Sequence, residues 1–261
     1  MNTLYNITAA NLHISKGNSK LGRGVYNISF VPGNKEYRPK IRGTVVSNVV
    51  GTCSKHCGQC ASSRACYAFK SFIRHHNATV QAWSENTLLL RSGKLFNKVA
   101  AWIEENNNKY YTTKNEKDHK VKVFRINNSG EVENYEQLEG WNKLALDHPE
   151  VNFSIYTKNY QAVEEFLKKH DDTADNFVIN ISQWNHEADD FIKKHGNKFN
   201  IFEYDGTNRK DNNYSKEDTQ RLNSLTHCPA VDKHGHKTGI TCSKCGRCYR
   251  KTNQTTAVFA H

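Results

Sequence analysis

Between residues 121 and 204 short β-branched and aromatic runs take turns with amphipathic stretches, and few folds accept that rhythm. Residues 121–126, 151–157, 177–182 and 199–204 read as strands. Residues 133–147, 160–169 and 186–194 space their apolar side chains by three and four and read as helices. Strand and helix in turn at this interval build βα units, whose strands pair in parallel. The β-branched run 44–50 supplies an earlier strand, so at least five parallel strands are expected. The predicted fold class is α/β, a partial or distorted (βα) barrel, with an open doubly wound sheet as the alternative.

Upstream, the turn residues Gly17, Asn18, Gly22 and Gly24 precede an alternating apolar run, 25–31, that Pro32 and Gly33 end. The Gly and Lys content suggests a phosphate loop, but the spacing is not that of a Walker loop and no helix follows. Trp83, Leu95, Val99 and Trp102 lie on helical stretches and are expected to face a core. Residues 106–120 read as a polar surface loop and 205–225 as a polar linker. The chain is therefore expected to divide at 204. Residues 1–204 hold an N-terminal strand and the partial barrel, and residues 205–261 wrap back and dock on it.

No apolar run is long enough for a signal sequence or for the roughly 20 residues that span a bilayer, so a cytoplasmic protein without membrane contact is expected. That expectation decides how the cysteines are read. In a reducing compartment eight cysteines in two tight groups suit metal thiolates better than disulfides. The formal charge of +11 would suit a polyanion, but the basic residues are spread over the chain, which leaves nucleic acid a weakly supported partner.

The first group, Cys53, Cys57, Cys60 and Cys66, follows the 44–50 run, at the carboxyl end of an expected strand, where loops carry chemistry in parallel α/β folds. The second is Cys228, before Pro229, with Cys242, Cys245 and Cys248. Its C-x2-C-x2-C run with a remote Cys-Pro suits a 4Fe-4S cluster. Zinc is the alternative, since His234 and His236 lie between Cys228 and Cys242, although a solvated loop is the expected role of both histidines. Cys53, Cys57 and Cys60 stand as C-x3-C-x2-C, the spacing radical SAM enzymes use to leave one iron open for S-adenosylmethionine. Gln59 departs from that pattern, and Cys66 is a fourth thiol that could close the open iron. Ser129, Gly130 and Glu131 end the strand 121–126 and resemble the stretch that contacts the methionine amino group in that superfamily. Tyr156, Thr157, Ser182, Gln183, Glu203 and Asp205, at later strand ends, are weaker candidates.

The segments GNSKLG, the cysteine group ending CYA, AWSEN, INNSGE, IYTK and the final CPA…TCSKCGRC occur in an order that resembles the gene product 88 family of bacteriophage proteins. The resemblance implies a phage protein of the host cytoplasm with a barrel like the radical SAM core and one or two 4Fe-4S clusters. The eight cysteines would be the metal ligands, and Ser129, Gly130 and Glu131 the S-adenosylmethionine contacts. An electron donor or a small-molecule substrate would be the partner in redox or radical chemistry, the reaction itself being outside what the resemblance supplies. The competing class is a zinc-stabilised basic module that contacts nucleic acid or a host protein.

Overall fold

The alternation that marks strands in the sequence also sorts each strand into two faces, and the two faces do different work. A computed structural model describes residues 10–33, 36–37, 40–41, 44–45, 49–53, 66, 68, 71, 76–108, 121–183, 186–207 and 214–259. In chain order the elements are β1 (Val25–Asn27), β2 (Glu36–Tyr37), β3 (Lys40–Ile41), β4 (Thr44–Val45), β5 (Val49–Val50), α1 (His76–Arg91), α2 (Leu95–Asn108) and β6 (Val123–Ile126). They continue as α3 (Tyr135–Asp147), β7 (Asn152–Thr157), α4 (Tyr160–Lys169), β8 (Phe177–Gln183), α5 (His186–His195) and β9 (Asn200–Asp205). The chain ends with α6 (Lys216–Ser224), β10 (Thr226–His227), the short α7 (Cys242–Cys245) and β11 (Thr255–Phe259).

Among the described residues seven strands form one parallel sheet in the order β1-β6-β7-β8-β9-β11-β10, with β1 and β10 as open edges. Side-chain caps fix where its helices begin. Asn134, Asn159 and Ser215 each accept a hydrogen bond from a backbone N–H two or more residues into α3, α4 and α6.

Tyr26, Phe124, Ile126, Phe153, Ile155, Phe177, Ile179, Ile181 and Ile201 point to one face and share a core with Leu89 of α1, Val99 of α2, Trp141 of α3, Phe166 of α4 and Phe191 of α5. The residues between them, Val123, Arg125, Ser154, Tyr156, Asn180, Asn200 and Phe202, stand by strand alternation on the opposite face. A doubly wound sheet carries helices on both faces and reverses its strand order. Here α1 to α5 pack on one face, and β1, β6, β7, β8 and β9 follow chain order. The α/β class and the parallel sheet agree with the sequence, and the sheet is not closed.

Three expectations are corrected. The run 44–50 is not a strand of the parallel sheet: β4 and β5 pair antiparallel with β3 and β2. Antiparallel partners near in sequence need only a short turn, whereas joining the parallel sheet needs a crossover. The linker 205–225 contains α6, whose Leu222 is fully buried; helix 95–108 also takes in the first residues of the expected loop 106–120, the rest of which lies outside the described residues. The strand β11, absent from the sequence reading, inserts between β9 and β10, so residues after 205 complete the main sheet. Leu95 and Val99 are buried as expected, while Trp83 and Trp102 are partly covered.

Candidate functional site

The face of the sheet opposite α1 to α5 is where the second cysteine group lies. Ser154, Asn180 and Asn200 come from the neighbouring strands β7, β8 and β9 and are all at most 2% exposed. They form a ladder: Asn200 Nδ2 donates to Asn180 Oδ1 (3.1 Å), and Asn180 Nδ2 donates to Ser154 Oγ (2.9 Å). The remaining capacity of the ladder is spent on the backbone of the C-terminal segment. Ser154 Oγ and Asn180 Nδ2 donate to the Cys248 carbonyl at 2.8 and 3.2 Å, and Asn200 Nδ2 donates to that of Arg250 at 2.9 Å. Asn200 Oδ1 accepts from the N–H groups of Thr252 and Asn253 and from the Thr252 hydroxyl. Buried amides that would otherwise weaken the sheet are thereby satisfied, and the cysteine segment is fixed to a rigid frame.

The glycine-rich turn near the N-terminus closes the other side. Asn18 Oδ1 accepts from the N–H groups of Lys20 and Leu21, whose carbonyls accept in turn from the N–H groups of Cys242 and Ser243 at 2.9 Å. Gly22 has φ +83, and a Cβ there would lie 2.2 Å from Ser243 Oγ and 2.8 Å from Thr241 Oγ1. That turn is a seat for Cys242 and not a phosphate loop.

Cys228, Cys242, Cys245 and Cys248 carry free, partly buried thiols, and Cys242 and Cys248 pack against Leu21, Val25, Val123 and Tyr249. Cys242 is within electrostatic reach of Cys228 and Cys245, and Cys248 of Cys242 and Cys228. Burial pushes the Cys248 thiol up to about 11, against a hydrogen bond from Tyr156 and the positive charge of Arg125. Burial likewise raises Cys242, with Arg125 again opposing it. Arg125 lies over the Tyr156 ring at 4.8 Å and so stands as a cation beside thiols and phenols that burial keeps protonated. Among the described residues no three Cys, His, Asp or Glu side chains are grouped as a single metal ion requires.

The first group is represented by Cys53 and Cys66; Cys57 and Cys60 lie outside the described residues. Cys53 sits beside the carboxyl end of β6. Its N–H donates to the Gly33 carbonyl (3.1 Å), and Thr52 N–H donates to that of Val31 (2.9 Å). Arg91, paired with Glu133, donates to the carbonyls of Val50 and Gly51 and clamps the segment just before it. The Thr52 hydroxyl accepts from Glu131 N–H (2.9 Å), which ties Cys53 to Ser129, Gly130 and Glu131. Of those three, Glu131 has a structural task, since its carboxylate accepts from the N–H groups of Val132 and Lys158 and so joins the ends of β6 and β7. Gly130 has φ +87 and packs against Thr52 and Phe30. Ser129 differs: its hydroxyl is buried and without a hydrogen-bond partner among the described residues, as are both amide atoms of nearby Asn127, which holds φ +52. The sequence reading passed over Asn127; a polar residue one position past a strand was the only available signal.

The weaker candidates have local partners. Thr157 accepts from Asn159 N–H, the Ser182 carbonyl accepts from Tyr160, Gln183 donates to Asp189, and Glu203 pairs with Arg221. Tyr156 alone faces the cysteines. His234 and His236 stand in the exposed loop expected for them. Asp205 is fully buried and pairs with His227 (2.8 Å). Burial by itself would raise the Asp205 carboxyl, but hydrogen bonds from Thr207 and His227 leave it below the usual carboxylate value. A depressed carboxylate stabilises the fold above its unfolded value near 3.9 and loses that contribution as pH falls through the folded value. Urea denaturation of the wild type below about pH 4 should therefore show a steeper loss of stability than Asp205→Asn, whose curve lacks this titration.

The fold and this face define a class: a parallel α/β protein whose cysteine-rich C-terminal segment is seated on the sheet. The family model of gene product 88 matches residues 12–251. The chain belongs to the gene product 88 family, as the sequence resemblance indicated. None of the curated proteins or solved structures compared with it matches. No helix among the described residues is long and apolar enough to cross a membrane.

Proposed function

We propose that this is an iron-sulfur protein of the phage-infected cytoplasm, with a 4Fe-4S cluster bound by the C-terminal cysteines on a wall like that of a radical SAM barrel. The observation that carries the reading is the convergence of Cys228, Cys242, Cys245 and Cys248 beside Arg125 on the sheet face opposite α1 to α5. The donor set suits the group. Thiolates of a cluster carry net negative charge, which Arg125 offsets, and Tyr156 donates a hydrogen bond to the Cys248 sulfur. A cluster of several irons spans thiols set farther apart than those around one zinc ion, where each Zn–S bond is about 2.3 Å. Such a cluster, when bound, supplies one-electron redox chemistry.

The barrel-like reading rests on the chain-order strands and the one-sided helices. In this reading the first cysteine group would handle S-adenosylmethionine. Thr52, which precedes Cys53, is bonded to Glu131 in the segment that follows Asn127 and Ser129, and the unpartnered buried polar atoms of those two residues suit a ligand with its own donors and acceptors. Glu131, already engaged with two backbone N–H groups, orients that rim instead of gripping the ligand.

The test is metal and acid-labile sulfide analysis, with visible spectra, on protein purified without oxygen. Iron and sulfide are expected, with part of both lost in Cys245→Ala and another part in Cys53→Ala. Stoichiometric zinc without iron would overturn the proposal and favour the zinc-stabilised binding module.

A further inference from the structure

Beside the C-terminal cysteine turn lies a cavity of about 560 Å3 whose walls include Thr226, His227, Cys245, Arg247, Arg250 and Lys251. Among the described residues no carboxylate lines it. Lys251 is partly neutralised by Asp172 (3.2 Å), and His227 is turned to Asp205. The two arginines are different. Arg247 donates to the Thr256 hydroxyl (3.3 Å) and Arg250 to the Cys245 carbonyl (3.2 Å), both neutral acceptors, and neither has a carboxylate partner among the described residues. Both guanidinium groups are thus held in place by contacts that leave their charge uncompensated.

We propose that this cavity binds a small phosphorylated molecule, its phosphoryl oxygens received by Arg247 and Arg250. A guanidinium presents a planar fork of donors that matches phosphate oxygens, and two forks in one concave site give a bidentate clamp. The volume falls in the range of small-ligand pockets, about 300–1,000 Å3, and suits a molecule the size of a mononucleotide. A nucleic-acid strand would instead call for an extended basic track with aromatic platforms, and among the described residues the walls of this cavity supply no Phe, Tyr or Trp. Both arginines are present with or without iron, although Cys245, a cluster ligand in the proposed function, also lines the cavity.

Isothermal titration calorimetry of the full chain with pyrophosphate, ADP and adenosine at 0.15 M salt tests it. Saturable binding of pyrophosphate or ADP is expected, with a dissociation constant below about 1 mM and no binding of adenosine. Tighter binding of ADP than of pyrophosphate would mark a nucleotide as the ligand, and equal binding the phosphates alone; either supports the site. Arg247→Gln and Arg250→Gln should each weaken binding at least about tenfold, while Lys193→Gln on the exposed side of α5 should not. If either glutamine variant unfolds, Arg250→Lys keeps the charge, loses the fork and should still weaken binding several-fold. Absence of saturable binding, or binding unchanged in the arginine variants, would overturn the proposal. So would salt-sensitive capture of an oligonucleotide without binding of either small phosphate.

Discussion

Asn200→Ala is expected to lower the unfolding free energy by about 3–5 kcal/mol, because a buried donor or acceptor left without its partner costs about 1–3 kcal/mol and this change strands more than one. Asn180 Oδ1 would lose its donor, the Arg250 backbone carbonyl would lose another, and the N–H of Thr252 would lose its acceptor. Asn180 is fully buried, so water cannot easily replace what is removed. The ladder also holds the Cys248 carbonyl, so the effect should reach the cysteines. Urea denaturation measures the first consequence, and the alkylation rate of Cys248 in metal-free protein measures the second. A cost under about 1 kcal/mol with Cys248 still protected would mean that the C-terminal segment is seated by something other than this ladder.

Gly130→Ala is the second change with a large expected effect. Its φ of +87 disfavours any side chain, and a Cβ there would stand 2.5 Å from Thr52 Oγ1 and 2.9 Å from Phe30 Cβ. Left-handed strain of about 1–2 kcal/mol and overpacking of about 1–3 kcal/mol together predict a loss of about 2–5 kcal/mol. Thr52 is the residue that must move, and it directly precedes Cys53. Gly130→Ala should therefore also lose the share of iron that Cys53→Ala loses, and keep the share held by the C-terminal group. Ser129→Ala is the comparison: the hydroxyl has no partner among the described residues, so stability should be unchanged or slightly raised. Equal stability of Gly130→Ala and wild type would remove the argument that this glycine positions Cys53.

Much of the frame was legible because it is local. The helix 160–169 has the predicted bounds, and β7, β8 and β9 begin or end within one residue of the runs at 151–157, 177–182 and 199–204. Periodicity of 2 and of 3.6 is written into each segment without reference to any other. The run 44–50 misled for the same reason: β-branched residues indicate a strand but not its partner. Ser129-Gly130-Glu131 was legible as a strand-end motif. That Glu131 would be spent on two backbone N–H groups, while Ser129 and Asn127 kept open hydrogen-bonding capacity, could not be read from it.

By itself the sequence determined the α/β class, the parallel rhythm, the family and the eight thiols in two groups, since composition, spacing and short-range periodicity are properties of the chain. Only the tertiary structure decided that β11 lies between β9 and β10 and that the sheet stays open. It alone brought Asn200, the Gly22 turn and Arg125 to the second cysteine group. Those contacts join residues up to about 220 positions apart, as where Lys20 meets Cys242, and they form because buried amides and thiols must find partners wherever the packed chain supplies them.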